Sequence, residues 1–232
     1  MFAEIPVRNG ILKRIYPVGE RIKKIHRVME HTAHNRNARV MASADASIHF
    51  RLLGVLPLLF FLLQAIHYWR IGELGNMLWM CNIGNLMLAF GLFFENAMLI
   101  RVSVLWMIPG LVVWFIYVVW AWGVFFSSTL AHVGGIIIAI LALKRVGMDS
   151  TAWLYAVGWY LVAQVLSRFL TAPALNVNVA HAIDPGWQLT FNSYWKFWLV
   201  LTSAVAIALW LLGLILWKIF PVRTARNPIQ SG

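Results

Sequence analysis

The amino-acid sequence predicts an all-α membrane protein, a bundle of about six transmembrane helices with its N- and C-termini cytoplasmic. Three observations carry that reading. Of the 232 residues, 61% are hydrophobic and 12% charged, against about 25% charged in soluble domains, and the mean hydropathy is +0.75. The apolar residues fall in runs of about 20, the length that crosses a bilayer as helix. The basic residues are also divided unequally between alternate connections, as membrane topology demands. A water-soluble globule is excluded.

Residues 1–46 form a basic tail. Ten of the 19 Lys and Arg residues lie at or before Arg51, and Ile22, Ile25, Val28 and Met29 recur at helical spacing between Arg21, Lys23, Lys24 and Arg27. That pattern suits an interfacial amphipathic helix on anionic lipid headgroups. A docking arm for partner membrane subunits is the rival reading. The net charge of +11 does not call for a nucleic-acid partner, because no stacking motif or nucleic-acid fold accompanies it. No early apolar core follows a short charged region, so a cleaved secretory signal is not expected and the first membrane helix is retained.

The six-helix transmembrane domain occupies 47–220, with spans near 51–69, 76–95, 98–120, 127–144, 152–171 and 195–218. Helix is the spanning form these runs permit, since they lack the short alternating pattern of barrel strands and backbone groups in lipid need internal partners. Pro57 and Pro109 should interrupt their spans, whereas Gly134 and Gly135 permit close helix contact. Residues 221–232 are a cytoplasmic C-terminal tail. With both termini on one side, that side holds sixteen Lys and Arg, and the other only Arg70, Arg168 and Lys196. The connections after the first, third and fifth helices therefore face outward.

Polar side chains inside spans are expensive, so their depth is informative. Cys81 and His132 each come about five residues after an outer helix start, and at about 1.5 Å per residue they lie some 8 Å below that boundary. Asn82 and Asn85 flank the cysteine, while Gln64, His67, Gln164 and Arg168 occupy the outward ends of their helices. The connection after the fifth helix adds Asn176, Asn178, His181 and Asp184. Cys81 and Asn85, Ser128 and His132, and Gln164 and Arg168 form three pairs at four-residue spacing, each sharing a face.

A cavity lined by those faces would support nucleophilic chemistry. A thiolate at Cys81 would attack an ester carbonyl and carry the acyl group, with His132 as base and then acid. Asn178 would orient the imidazole, and Arg168 would hold a phosphate or stabilise an oxyanion. Each residue also has a structural reading. A lone membrane cysteine packs as a small side chain, a membrane histidine bridges helices, an arginine at a helix end snorkels, and Asn176 and Asn178 serve the turn after Pro173. The single cysteine excludes an intramolecular disulfide. No ligand pair has metal-motif spacing and His132 alone lies well within a span, so neither a metal nor another cofactor is expected.

These residues resemble the YwaF-like integral membrane family, related to intramembrane Cys-His acyltransferases and lipid hydrolases, over about residues 50–218. A Leu-Cys-Asp type segment opens one helix in that family and is similar to Trp79-Met80-Cys81-Asn82. A His-Gly segment resembles Ala131-His132-Val133-Gly134, and a Thr-Asn-Tyr type segment resembles Val177-Asn178-Val179, followed by Tyr194-Trp195. Asn82 stands where the family has an acid, Val133 separates the His-Gly pair, and Val179 replaces an aromatic residue. The resemblance implies acyl chemistry on membrane lipids by Cys81 and His132 in a bacterial inner membrane; the depth and spacing of the polar residues set Asn82, Asn85, Gln164, Arg168, Asn178 and His181 in support. The alternative is a non-enzymatic accessory subunit of a larger membrane complex. A solute transporter fits less well, because the polar residues do not continue through the cytoplasmic half.

Overall fold

The computed structural model describes residues 47–121 and 125–222. The chain divides into a unit of residues 1–49 and a unit of residues 50–232, and the architecture below is that of the second. The expectations for the basic tail, residues 1–46, and for residues beyond 222 lie outside the described residues. The described residues are mostly helical, with no strand among them beyond a single bridge between Met148 and Pro221.

Among the described residues six long helices carry the fold: α1 (Val55–Arg70), α2 (Met80–Phe93), α3 (Ala97–Ala121), α4 (Phe126–Val146), α5 (Ala152–Leu170) and α6 (Tyr194–Ile219). Four helical segments are long and apolar enough to cross a membrane: Ser47–Arg70, Ala97–Val119, Phe126–Val146 and Tyr194–Ile219. The other two fall short for different reasons. α2 has only 14 residues, about 21 Å of helix against a hydrocarbon core of about 30 Å. Its expected first turns are instead a separate 3-10 turn, Leu74–Leu78, divided from it by the extended backbone of Trp79. α5 is long enough, but Trp153, Tyr155, Trp159, Tyr160, Gln164 and Arg168 lower its hydropathy.

α3 lies at the centre of the packing, against α2, α4, α5 and α6. Leu88 and Leu92 of α2 are fully buried among Ile100, Leu105 and Trp106 of α3 and Ala139, Ala142 and Leu143 of α4. Small residues set the separations: a methyl group on Gly91 would meet the Ile100 backbone nitrogen at 3.0 Å, the close approach that small residues permit in membrane bundles. Trp106 joins this core to α5 by donating its indole N–H to the Ala156 carbonyl over 3.0 Å.

The punctuation follows the backbone chemistry. Pro57 lies in the first turn of α1, immediately after a turn at Leu53 and Gly54, where its missing N–H costs least. Gly147, at φ +69°, ends α4, and Arg101 donates from Nε to the Gly147 carbonyl over 2.8 Å, satisfying an orphan acceptor there. At the same end of the bundle Arg51 pairs with Glu95 at 3.3 Å.

Candidate functional site

The predicted site residues separate into two clusters. The first is built on the start of α2 and the start of α4. Trp79 is extended, so the α-helix restarts at Met80 and Cys81 lies in its first turn, half-buried against Gly110 of α3. A side chain at Gly110 would stand 3.1 Å from the cysteine Cβ, and this glycine, next to Pro109, is what lets α3 pass so close.

Asn85, one turn further along α2, is buried to 1% exposure. Its amide nitrogen donates to the Cys81 carbonyl and the Ala131 carbonyl, each over 3.0 Å. Both carbonyls are held to one nitrogen, so the backbone of the cysteine and the backbone next to His132 are fixed within hydrogen-bonding reach of a single side chain. The Asn85 amide oxygen packs against Gly135, where a methyl group would overlap both it and the Met107 terminal carbon. Only glycine fits there.

His132 lies in a π-turn, Leu130–Gly134, inside α4, and such turns displace the helical register by a residue and often mark functional sites. Nδ1 is 2.8 Å from the Ser128 carbonyl and 3.4 Å from the Ser128 hydroxyl. A carbonyl accepts and cannot donate, so Nδ1 carries the proton and donates, leaving the lone pair on Nε2. Trp114 of α3 stacks on the ring at 5.2 Å with planes 13° apart, and its indole N–H donates to the Ser128 hydroxyl over 2.9 Å. The imidazole is therefore fixed in plane and in tautomer. Among the described residues no hydrogen bond joins it to Cys81, and its Nε2 has no protein partner.

Asn82, also expected here, donates to the Asn76 carbonyl over 2.9 Å and secures the 3-10 turn before α2. Its amide oxygen, and those of Asn85 and Gln64, are buried without a hydrogen-bond partner.

The second cluster joins α5, the connection after it and α6. Gln164 donates to the Tyr160 hydroxyl over 2.8 Å and to the Asn178 carbonyl over 3.3 Å, and accepts from the Trp198 indole over 3.0 Å. Asn178 donates to the Ser167 hydroxyl over 2.9 Å and to the Leu78 carbonyl over 2.7 Å. It therefore pins the segment leading into Cys81 and does not reach the His132 ring. Arg168 donates to the Ala180 carbonyl over 2.6 Å and lies over the rings of Tyr194 and Trp195. His181 Nε2 is 3.2 Å from both the Thr171 hydroxyl and the Ser167 carbonyl. Asn176 and Asn178 adopt left-handed backbone, which asparagine tolerates, and so does Val179 at φ +55°, which a β-branched residue resists.

Sequence reasoning missed Trp114, Tyr160, Ser167, Thr171 and Trp198. Tyr160, Gln164, Ser167 and Thr171 form one polar stripe at helical spacing along α5, a signal present in the sequence. The two tryptophans left none, since a tryptophan in an apolar run reads as a lipid or interface residue.

Among the described residues no three His, Cys, Asp or Glu side chains converge to hold a metal ion. One cavity, of about 590 Å³, lies between the α5–α6 connection and α6; another, of about 600 Å³, lies on the outer face of α5. Neither is lined by Cys81 or His132. Compared with protein-family models, curated proteins and solved structures, the chain matches none.

Proposed function

We propose that this chain is a membrane-embedded acyltransferase or lipid hydrolase that uses Cys81 as nucleophile and His132 as general base. The single observation in its favour is the fixed tautomer of His132: Nδ1 donates to the Ser128 carbonyl over 2.8 Å, which leaves Nε2 as a proton acceptor inside an apolar bundle. A general base needs that arrangement, with one nitrogen oriented and the other free. Asn85 supports the pairing by tying the Cys81 and Ala131 carbonyls to one amide.

The reaction runs in two halves. His132 Nε2 takes the thiol proton as Cys81 sulfur adds to the ester carbonyl of a lipid, and the tetrahedral oxyanion collapses to a thioester. The alcohol leaves with the proton from Nε2. Water or an acceptor hydroxyl, deprotonated by Nε2, then adds to the thioester carbonyl, and the thiolate departs and regains the proton. Hydrolase and transferase differ only in which hydroxyl enters. All six helices would cross a bacterial inner membrane, the Leu74–Leu78 turn adding to the 14 residues of α2, with both termini cytoplasmic and this site toward the opposite face.

A lipid-tailed chloromethyl ketone offered to the protein in vesicles tests the proposal. Labelling should map to Cys81, vanish in Cys81→Ala and slow by at least about 100-fold in His132→Ala, the usual contribution of a general base. Absence of labelling, or an unchanged rate in His132→Ala, would overturn it.

A further inference from the structure

We propose that the cavity at the start of α6 binds an anionic phospholipid from the leaflet on that face. This site is separate from the Cys81 cluster and does not depend on its chemistry. The cavity, of about 590 Å³, is formed by the connection before α6 and the first two turns of that helix. Its polar side is supplied by Gln188, Asn192 and Lys196, and its apolar side by Leu189, Leu199 and Val200. Among the described residues, none of those three polar side chains makes a hydrogen bond, and no carboxylate lies within salt-bridge distance of Lys196. One cation and two amides are therefore unspent in one hollow, the donor set that a phosphodiester accepts.

The apolar side identifies the rest of the ligand. Val200, Ile207 and Leu211 are exposed and share one face of α6, seven and then four residues apart. From Val200 to Leu211 the helix rises about 17 Å, close to the half-thickness of about 15 Å that one leaflet's hydrocarbon occupies. A headgroup held at Lys196 would thus lay its acyl chain along this rail. Exposed Trp187 and Trp195 flank the hollow, and tryptophans of that kind concentrate at headgroup depth. A soluble phosphate would use the polar half and leave the rail without purpose.

The test uses the full chain in phosphatidylcholine vesicles containing a trace of photoreactive phosphatidylglycerol, with adducts mapped by mass spectrometry. Adducts should concentrate on residues 188–192 and 199–200, fall about fivefold in Lys196→Gln, the loss expected for one basic side chain near an anionic surface, and persist in Lys196→Arg. A photoreactive phosphatidylcholine should not reproduce the concentration. Equal labelling by the two lipids, or an unchanged pattern in Lys196→Gln, would show an ordinary lipid annulus and overturn the proposal. Displacement of the adducts by soluble glycerol phosphate would overturn it as well, by assigning the hollow to a soluble anion. Lys196 is exposed, so the variants fold, and unchanged thermal stability in detergent checks this.

Discussion

Replacing Asn85 with alanine tests the principal joint between α2 and α4. The amide donates to two buried carbonyls, Cys81 and Ala131, and is itself 1% exposed. The Cys81 carbonyl keeps a helical partner, whereas the Ala131 carbonyl lies where the π-turn alters the hydrogen-bond register and depends more on the asparagine. Leaving one buried acceptor unpaired costs about 1–3 kcal/mol, and the vacated volume adds about 1 kcal/mol. The expected loss is about 2–4 kcal/mol, measured by equilibrium unfolding in bicelles. A second substitution sharpens the test, because a methyl group on Gly135 would overlap the Asn85 amide oxygen. Gly135→Ala should therefore destabilise the native protein more than it destabilises Asn85→Ala, with a coupling of about 1 kcal/mol or more. If Asn85→Ala lies within about 0.5 kcal/mol of the parent, as surface substitutions do, or the two changes simply add, the joint is not where the hydrogen bonds place it.

Two further predictions concern the connections. The Thr151 hydroxyl and backbone N–H, at 2.6 and 2.8 Å, hold the Asp149 carboxyl below the usual carboxylate range. Its folded value is the lower one, so the stabilisation is full above the unfolded value near 4 and is lost as the pH falls through the folded value; Asp149→Asn should remove that acid-side loss in a comparison of melting at pH 6 and pH 3. Val179 holds a left-handed conformation that costs a branched residue about 1–2 kcal/mol, so Val179→Gly should raise or leave unchanged the unfolding free energy despite losing a side chain, and a clear loss would show that packing outweighs the strain.

The sequence carried the fold where hydropathy governs it. The apolar run read as 195–218 became Tyr194–Ile219, and the run read as 98–120 became Ala97–Ala121, because burying backbone in an apolar medium forces hydrogen-bonded helix. It was silent where one apolar backbone arrangement replaces another. Leu78, Trp79 and Met80 are all hydrophobic, so nothing in their composition marks the break that separates Leu74–Leu78 from α2 and sets Cys81 in a first turn. The π-turn around His132 is equally invisible, though the spacing of Ser128 and His132 was not. Asn178 could be singled out as polar and deep, but its partner Leu78 lies 100 residues away, and a carbonyl exists at every position. Type and depth of a polar residue are local properties; the group that satisfies it is a property of the packed bundle.

The difference between the two clusters is the reason for assigning the proposed chemistry to one of them. In the second, Gln164 and Asn178 spend their amides on neighbouring groups, and Tyr194 donates its hydroxyl to the Ala180 carbonyl over 2.7 Å. Those bonds hold a connection with three left-handed non-glycine residues against α5 and α6, and removing any of them would loosen that connection. The first cluster is built differently. It fixes the His132 ring on one nitrogen and leaves the other open, and the oxygen of Asn85, packed near Gly135, is buried without a hydrogen-bond partner. An unpaired buried acceptor costs about 1–3 kcal/mol, and the lipid interior offers no water to relieve it. The second cluster spends most of its polar groups on holding the connection, Thr202 Oγ1 on α6 being left unpaired, whereas the first leaves the Nε2 of His132 uncommitted. Replacing the imidazole with a non-titrating ring, as in His132→Phe, should for that reason stabilise the bundle or leave it unchanged while abolishing labelling of Cys81, whereas a purely structural imidazole would give the reverse.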